Sequence, residues 1–273
     1  MQLYTLLYLH SYFYVKISVE ARCPGVLFNG RYYNVEVLKE GVNKIHQLVL
    51  SKTDNTLYFI YDQIAAVPTG SLGYLDIETR ESGLIDGVRN ASSVTVDPRY
   101  NTVYVGGADG IYVINSNRVP EILPIRDSIQ SVYFKDVLYY TNTRNEAYSF
   151  EHGYIDRLYE LDGVEAEKLI VDDDNNMFFT VGKNLFRIKL GTRAVNTHET
   201  YKVDAMAVDG YLKPYIGTGT GVYVYNKYKF AMDKVSNLNN IRGLTFNKRN
   251  EPMYAILDAI YKLNATTDKC FES

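Results

Sequence analysis

The sequence predicts an all-β fold, a six-bladed β-propeller, from its internal repeats, their spacing and their strand periodicity. A unit of two apolar strands joined by a polar turn occurs six times, with aromatic centres 46, 35, 39, 37 and 39 residues apart. A third strand follows each unit, as in "GIYVIN" (110–115), and no long stretch has helical periodicity. Four strands in about 40 residues make one blade of a propeller. The aromatic centres are Tyr58, Tyr104, Tyr139, Phe178, Tyr215 and Tyr254.

The N-terminal segment differs from the repeats. "LYTLLYLHSYFYV" (3–15) is a short apolar run, and Val19-Glu20-Ala21 offers the small residues that signal peptidase recognises. The run is too short for a membrane span, although a buried strand is an alternative. We predict a signal peptide at 1–21 and a propeller domain at 22–273, and therefore a secreted, extracellular protein.

Closure of the ring is predicted to involve both ends of the chain. The sixth unit ends its third strand near Asn264 and leaves no room for a fourth strand. "YYNVEVLK" (32–39) alternates apolar and polar residues, so we predict that it pairs with the strand at 259–264 as the missing outer strand. This pairing brings Cys23 near Cys270, and we predict a disulfide between them; two unpaired thiols are the alternative. Closing so long a loop stabilises a fold by about 5 kcal/mol in the chain-entropy model.

Composition narrows the possible partners. The formal net charge of −3 gives no electrostatic reason to expect nucleic acid, and no basic cluster suggests a membrane surface. We predict a monomer with neither partner. Two sequons place predicted glycosylation at Asn90 and Asn264. The 26 tyrosines and absence of tryptophan suit a strand-rich fold.

Several motifs that suggest chemistry are better explained as turns. "DDDNN" (172–176) resembles part of a calcium loop but lacks the glycine and distal glutamate, and it aligns with the turns of other repeats. "GTGTG" (217–221) lacks the strand-to-helix context of a phosphate loop. The four histidines have no metal-ligand spacing, and no G-x-S-x-G motif supplies a nucleophile. We predict no catalytic residue, metal or cofactor.

The repeats place one polar residue at the start of the first strand of every blade. Apolar residues follow it two and four positions further along the strand. Because the first strand of a blade is innermost, these residues should surround one end of the central channel. They are predicted to bind a small ligand through a few convergent groups, although a wet channel would itself favour polar residues there. This polar ring comprises His46, Ser92, Gln130, Glu167, Asp204 and Arg242.

Three classes of function remain compatible with the ring. A calcium-dependent lactonase or esterase needs several carboxylates around one cation, whereas only Glu167 and Asp204 qualify and Arg242 would oppose the metal. A protein-interaction propeller is neither supported nor excluded by the sequence. A binding protein for a small polar aromatic ligand suits arginine, histidine and carboxylates beside many tyrosines.

The N-terminal third of the chain resembles the ommochrome-binding protein family of insect haemolymph. "CPGVLFNGRYYNVEVLKEGVNKIHQLVL" (23–50), "TDNTLYFIY" (53–61) and "YVGGADGIYVIN" (104–115) carry the resemblance, which extends more loosely along the mature chain. It implies a secreted haemolymph carrier of ommochromes, which are tryptophan-derived phenoxazinone pigments, without enzymatic activity. We then expect Arg242 and His46 to face carboxylate or quinone oxygens, and Glu167 and Asp204 to face amines. Arg242 is expected to contribute most.

Overall fold

The structure is a computed structural model that describes residues 25–192 and 195–266. These residues contain 24 β-strands and one short 3₁₀ helix (Tyr159–Leu161), so the predicted all-β class is confirmed. Within the same ranges, no helix has the length and apolar character needed to cross a membrane. The predicted signal peptide and the predicted Cys23–Cys270 disulfide lie outside the described residues.

The first half of the chain forms two N-terminal strands and three antiparallel arrays of four strands. The N-terminal strands are β1 (Val26–Phe28) and β2 (Arg31–Lys39). Array 1 comprises β3 (Ile45–Ser51), β4 (Thr56–Asp62), β5 (Gly70–Asp76) and β6 (Ser82–Ile85). Array 2 comprises β7 (Ser93–Asp97), β8 (Thr102–Gly107), β9 (Gly110–Ile114) and β10 (Pro120–Ile122). Array 3 comprises β11 (Ile129–Phe134), β12 (Leu138–Asn142), β13 (Ala147–Glu151) and β14 (Tyr154–Arg157).

The second half forms three more arrays, two of which share a strand. Array 4 comprises β15 (Lys168–Val171), β16 (Asn176–Val181), β17 (Asn184–Lys189) and the first part of β18 (Val195–Val208). The second part of β18 begins array 5, with β19 (Pro214–Thr218), β20 (Gly221–Asn226) and β21 (Ala231–Ser236). Array 6 comprises β22 (Ile241–Phe246), β23 (Pro252–Ile256) and β24 (Ala259–Ala265), followed by β2 and β1.

The arrays are arranged as a closed ring. Their first strands are β3, β7, β11, β15, the second part of β18, and β22. Each of these contacts the first strand of the next array, and β22 contacts β3. The first strands therefore surround a central channel. Because array 6 contacts array 1, the ring has no open end at which a sheet face would be exposed to solvent.

The first and last strands of the described chain belong to the same array. β2 pairs with β24 in antiparallel fashion, from Tyr33 opposite Ala265 to Lys39 opposite Ile260. The predicted pairing of residues 32–39 with the strand at 259–264 is therefore confirmed. A bulge in β2 falls at Leu38, which is buried against Ile45 and Ile260. The short strand β1, which was not predicted, pairs with β2 and forms the outer edge.

The turns after the first strands share one hydrogen-bond pattern. In four arrays, an Asp or Asn that ends the strand or directly follows it accepts a bond through its side-chain oxygen from the backbone N–H two residues later, at 2.8–2.9 Å. These residues are Asp97, Asp172, Asp209 and Asn247. Such Asx turns explain the acidic "DDDNN" segment, which forms the turn between β15 and β16 as predicted. "GTGTG" spans the turn between β19 and β20, again as predicted.

Candidate functional site

Every residue of the polar ring occupies the same structural position, the extra residue of a β-bulge. The ladder between the first and second strands skips His46, Gln130, Asp204 and Arg242. In the other two arrays, the N–H groups of Ser92 and Glu167 bond the carbonyl oxygens of Gly106 and Thr180 at 2.9 Å, and the next residues pair with the same partners. A bulge breaks the alternation of a strand and re-aims one side chain. This explains why a polar residue precedes an otherwise apolar strand six times.

Four of the six polar-ring residues line a small cavity at one end of the channel. His46, Ser92, Glu167 and Arg242 line it, whereas Gln130 does not and its neighbour Ser131 does. Asp204 is not in the lining either but bonds Arg242 at 3.2 Å. The cavity volume is about 40 Å³. Pockets for small molecules occupy about 300–1,000 Å³, so this space accepts a water molecule or one substituent, but not a three-ring pigment.

Most of the charges at this end of the channel are paired. Asp204 Oδ1 accepts hydrogen bonds from Lys183 Nζ at 2.7 Å and from Arg242 at 3.2 Å. His46 Nε2 donates to Asp62 Oδ1 at 2.7 Å, and Lys44 Nζ bonds Asp62 Oδ2 at the same distance. Burial acts to raise the pKa of Asp62, but the bonds from Lys44 and His46 outweigh it and hold that pKa below its ordinary value. Most charged side chains of the polar ring are thus neutralised by a neighbouring charge.

A lysine that was not predicted lies behind the ring. Lys168, at the start of β15, lines the small cavity and its Nζ donates to the carbonyl oxygen of His46 at 3.1 Å. Burial lowers its pKa, and the nearby carboxylates of Glu167 and Asp204 oppose that shift. The sequence signal was a lysine directly before the apolar run Leu169–Val171, which places a charged and half-buried side chain beside a buried strand.

A larger cavity, here called the chamber, occupies the opposite end of the channel. Its volume is about 390 Å³, which falls in the range of small-molecule pockets. Its mouth lies at the turns after the first strands, beside Pro98 and Gly210. The chamber was not predicted, because it is lined by consecutive residues of the first strands, such as Leu48–Leu50, whose apolar side chains indicate only core in the sequence. Its walls are mainly apolar and include Val49, Val96, Tyr133, Phe134, Val208 and Phe246.

Polar residues in the channel wall are already bonded. In four places a side-chain oxygen on one first strand accepts an N–H from the first strand of the next array, at 2.9–3.3 Å. These bonds satisfy the inner edges of the arrays, which lack a further strand, and leave the chamber surface largely apolar. The pairs are Gln47 with Val94, Ser93 with Val132, Thr95 with Phe134, and Thr245 with Leu50.

The small cavity and the chamber meet at a constriction. Five residues line both spaces and so lie between them: Gln47, Leu48, Ile170, Met206 and Leu244. Four of these side chains are apolar, and Met206 is unbranched and adaptable. The channel therefore has a narrow polar end, an apolar constriction and a wide apolar end.

Two further features lie outside the channel. An outer cleft of about 500 Å³ separates arrays 4 and 5 and is lined by Tyr211, Tyr215, Tyr225 and Tyr228. Lys227 crosses it to reach Asp173 and Asp174, at 3.1–3.2 Å. In the described parts of the chain, no three His, Cys, Asp or Glu side chains are clustered closely enough to hold a metal ion.

The two predicted glycosylation sites differ in their surroundings. Asn90 is exposed in a loop, and only its oxygen is bonded, by the Gly70 N–H at 2.9 Å. Asn264 lies in β24 between two strands, and its Nδ2 donates to Glu36 Oε2 at 2.7 Å. A glycan must be attached to this nitrogen, so Asn264 is the less suitable acceptor.

We expect glycan on Asn90 and an unmodified Asn264 in folded protein secreted from insect cells. Mass spectrometry after enzymatic deglycosylation would show conversion to aspartate at position 90 alone. Asn90→Gln should abolish the mass shift, and Asn264→Gln should leave it unchanged. Glycan found at Asn264 would contradict this expectation.

Comparison with known proteins supports the resemblance noted in the sequence. No family model matches the chain. The chain is 28% identical to the ommochrome-binding protein of Manduca sexta over 253 residues, which are 90% of this chain and 92% of that protein. The predicted relationship to the ommochrome-binding protein family is therefore confirmed.

Solved structures confirm the propeller architecture. A gluconolactonase from Xanthomonas campestris superposes with a TM-score of 0.67 at 11% identity, over 89% of this chain and 96% of that chain. The WD40 β-propeller domain of Doa1 superposes with a TM-score of 0.59, also at 11% identity, over 90% of this chain and 99% of that chain. At such low identity these similarities concern the fold alone.

Proposed function

We propose that this relative of the ommochrome-binding proteins is a secreted carrier that binds a small aromatic pigment in the channel of a six-bladed β-propeller. The chamber is the observation that carries the proposal. Its volume of about 390 Å³ and its apolar and aromatic walls suit a planar ligand. Each of the six arrays corresponds to one blade, and arrays 4 and 5 are two blades that share β18.

In this proposal the ligand body lies in the chamber rather than beside the polar ring. The chamber is about ten times larger than the ring cavity, at 390 Å³ against 40 Å³. Tyr133 and Phe134 offer ring surface to a planar molecule, whereas Phe246 is only 1% exposed and packs against other core rings. The hydroxyl of Tyr133 already donates to the Val171 carbonyl at 3.1 Å, so the tyrosine contributes mainly its ring.

The six ring residues keep a narrower role in the proposal. His46, Ser92, Gln130, Glu167, Asp204 and Arg242 form the polar end of the same channel. They can contact only a substituent that passes the constriction. Arg242 and Asp204 already pair with each other, so part of the hydrogen-bonding capacity of each is used before a ligand group arrives. We therefore expect the ring to contribute less to affinity than the chamber.

The carrier proposal includes a cellular setting. Secretion into haemolymph follows from the relationship to the ommochrome-binding proteins and from the signal peptide predicted at 1–21. A Cys23–Cys270 disulfide would then join the two ends of the chain near array 6, which β2 and β24 build together. We propose a monomeric domain over residues 22–273.

A lactonase is the second candidate, because a gluconolactonase shares the fold. Metal-assisted hydrolysis needs carboxylate oxygens that are available to a cation. At the polar ring, Asp204 instead accepts bonds from both Lys183 and Arg242. A guanidinium at this position repels a cation. The arrangement therefore favours binding over hydrolysis.

One pair of titrations separates these candidates. We expect a xanthommatin-type pigment to bind saturably, with a shift of its absorption spectrum that a calcium chelator leaves unchanged. A simple lactone given to the same preparation should not be hydrolysed. Hydrolysis would be measured as the release of acid. Chelator-sensitive lactone turnover without a pigment-induced spectral shift would reject the carrier and favour the enzyme.

A further inference from the structure

We infer that Lys52, at the mouth of the chamber, selects planar aromatic ligands that carry a carboxylate. This inference rests on the proposed function, because it assumes that the ligand body occupies the chamber. It assigns the charge recognition to a residue outside the polar ring and at the other end of the channel.

Lys52 supplies the positively charged side chain in the lining of the chamber. It is the single lysine or arginine among the described residues of the lining, and it is half-buried in the turn after β3. Its ammonium group makes no hydrogen bond and no ion pair within 4.0 Å to any part of the chain that the structure describes. It lies beside Gly210, with Nζ 3.8 Å from the position that a Cβ on this glycine would take. The group is therefore available at the edge of the cavity.

The nearest carboxylate does not neutralise Lys52 directly. Asp209 also lines the chamber, but its oxygens accept bonds from the N–H groups of Tyr211 and Lys213 and from Asn250 Nδ2, at 2.8–3.2 Å. The turn geometry thus holds this carboxylate in place. Burial lowers the pKa of Lys52, and the charge of Asp209 opposes the shift. A partly desolvated ammonium without a bonded partner gains from an incoming anion.

The position of Lys52 also suits a planar acid. The ligand rings would contact the apolar wall, which includes Val49 and Val96, while a carboxylate at one edge of the ring system points toward the mouth. A charge-assisted hydrogen bond forms there without burying the carboxylate in the apolar interior. A neutral ligand of the same shape would lack that bond.

The test uses two probes and two lysine variants. The probes are xanthurenic acid, a planar quinoline carboxylate, and the same quinoline diol without the carboxylate. We expect wild-type protein to bind the acid at least tenfold more tightly than the diol, and Lys52→Met to abolish this preference without weakening the diol. Lys52→Arg should retain it. Lys248→Met is the matched control, because Lys248 occupies the equivalent turn position in array 6, is exposed and does not line the chamber.

The outcomes separate this inference from the proposed function. Equal affinity of wild-type protein for both probes, with pigment binding intact, would overturn the role of Lys52 alone. Loss of the preference in Arg242→Ala but not in Lys52→Met would overturn it in favour of the polar ring. Failure of the pigment and both probes to bind folded wild-type protein would reject the inference and the proposed function together. Unchanged circular dichroism of each variant verifies folding.

Discussion

Replacing Val49 by tryptophan is expected to weaken pigment binding by about tenfold to a hundredfold, at roughly 1.4 kcal/mol per decade. Val49 lies on β3 and lines the chamber, and its side chain takes part in no hydrogen bond. The larger indole would occupy space that a planar ligand needs. Because the chamber is empty space, the fold should tolerate the added rings better than a close-packed core would. Absorption titration with a xanthommatin-type pigment measures the effect.

Val37→Trp provides the matched control for this experiment. Val37 lies on β2, is 48% exposed and is remote from the channel. The same substitution there should leave binding unchanged. Full pigment affinity in folded Val49→Trp would contradict the chamber as the binding site. Loss of binding in Tyr228→Ala would then place the ligand in the outer cleft, where Tyr228 is 88% exposed.

Truncation of Leu38 is expected to destabilise the protein by about 2–5 kcal/mol, the usual cost of removing a buried leucine side chain. Leu38 is 7% exposed and packs with Val42, Ile45 and Ile260 where the N-terminal strand closes the ring. Leu38→Ala removes contacts that join β2 to both array 6 and array 1. Urea unfolding followed by circular dichroism would report the lowered free energy of unfolding.

The neighbouring position on the same strand supplies the control. Val37→Ala removes an apolar side chain from the exposed face of β2, so we expect a change within about 0.5 kcal/mol. If Leu38→Ala were as mild as Val37→Ala, the N-terminal strand would contribute little to closure. The Cys23–Cys270 link would then have to be tested as the main closing element.

The repeating architecture was accessible from the sequence because it depends on local patterns. Alternation identified the strands, and polar turns such as "DDDNN" separated them at regular intervals. The pairing of β2 with β24 also followed, since a sixth unit without an outer strand needs one from elsewhere in the chain. By contrast, β1 is only three residues long and carries too little periodicity to be recognised.

The candidate site was only partly predictable. Repeat alignment correctly grouped six equivalent residues, because each bulge recurs at the same point in its array. Alignment could not reveal that Asp204 pairs with Arg242, nor that the space between the ring residues is small. The chamber depends on how far side chains such as Met206 and Val49 extend across the channel, which is a property of packing between arrays. Lys52 appeared as one more polar turn residue.

The shared array of the first and last strands has a consequence for biosynthesis. Glu36 and Asn264, which bond across the β2–β24 pair, are 228 positions apart in the chain. At translation rates of about 5–20 residues per second, β2 therefore emerges roughly ten to fifty seconds before its partner. During this time the edge of β2 that later pairs with β24 has no partner strand, and the charged residues Arg31, Glu36 and Lys39 oppose its association with other nascent chains. The ring is completed only after β24, the last of the described strands, has left the ribosome, so the channel forms later than the arrays that precede β24 in the chain.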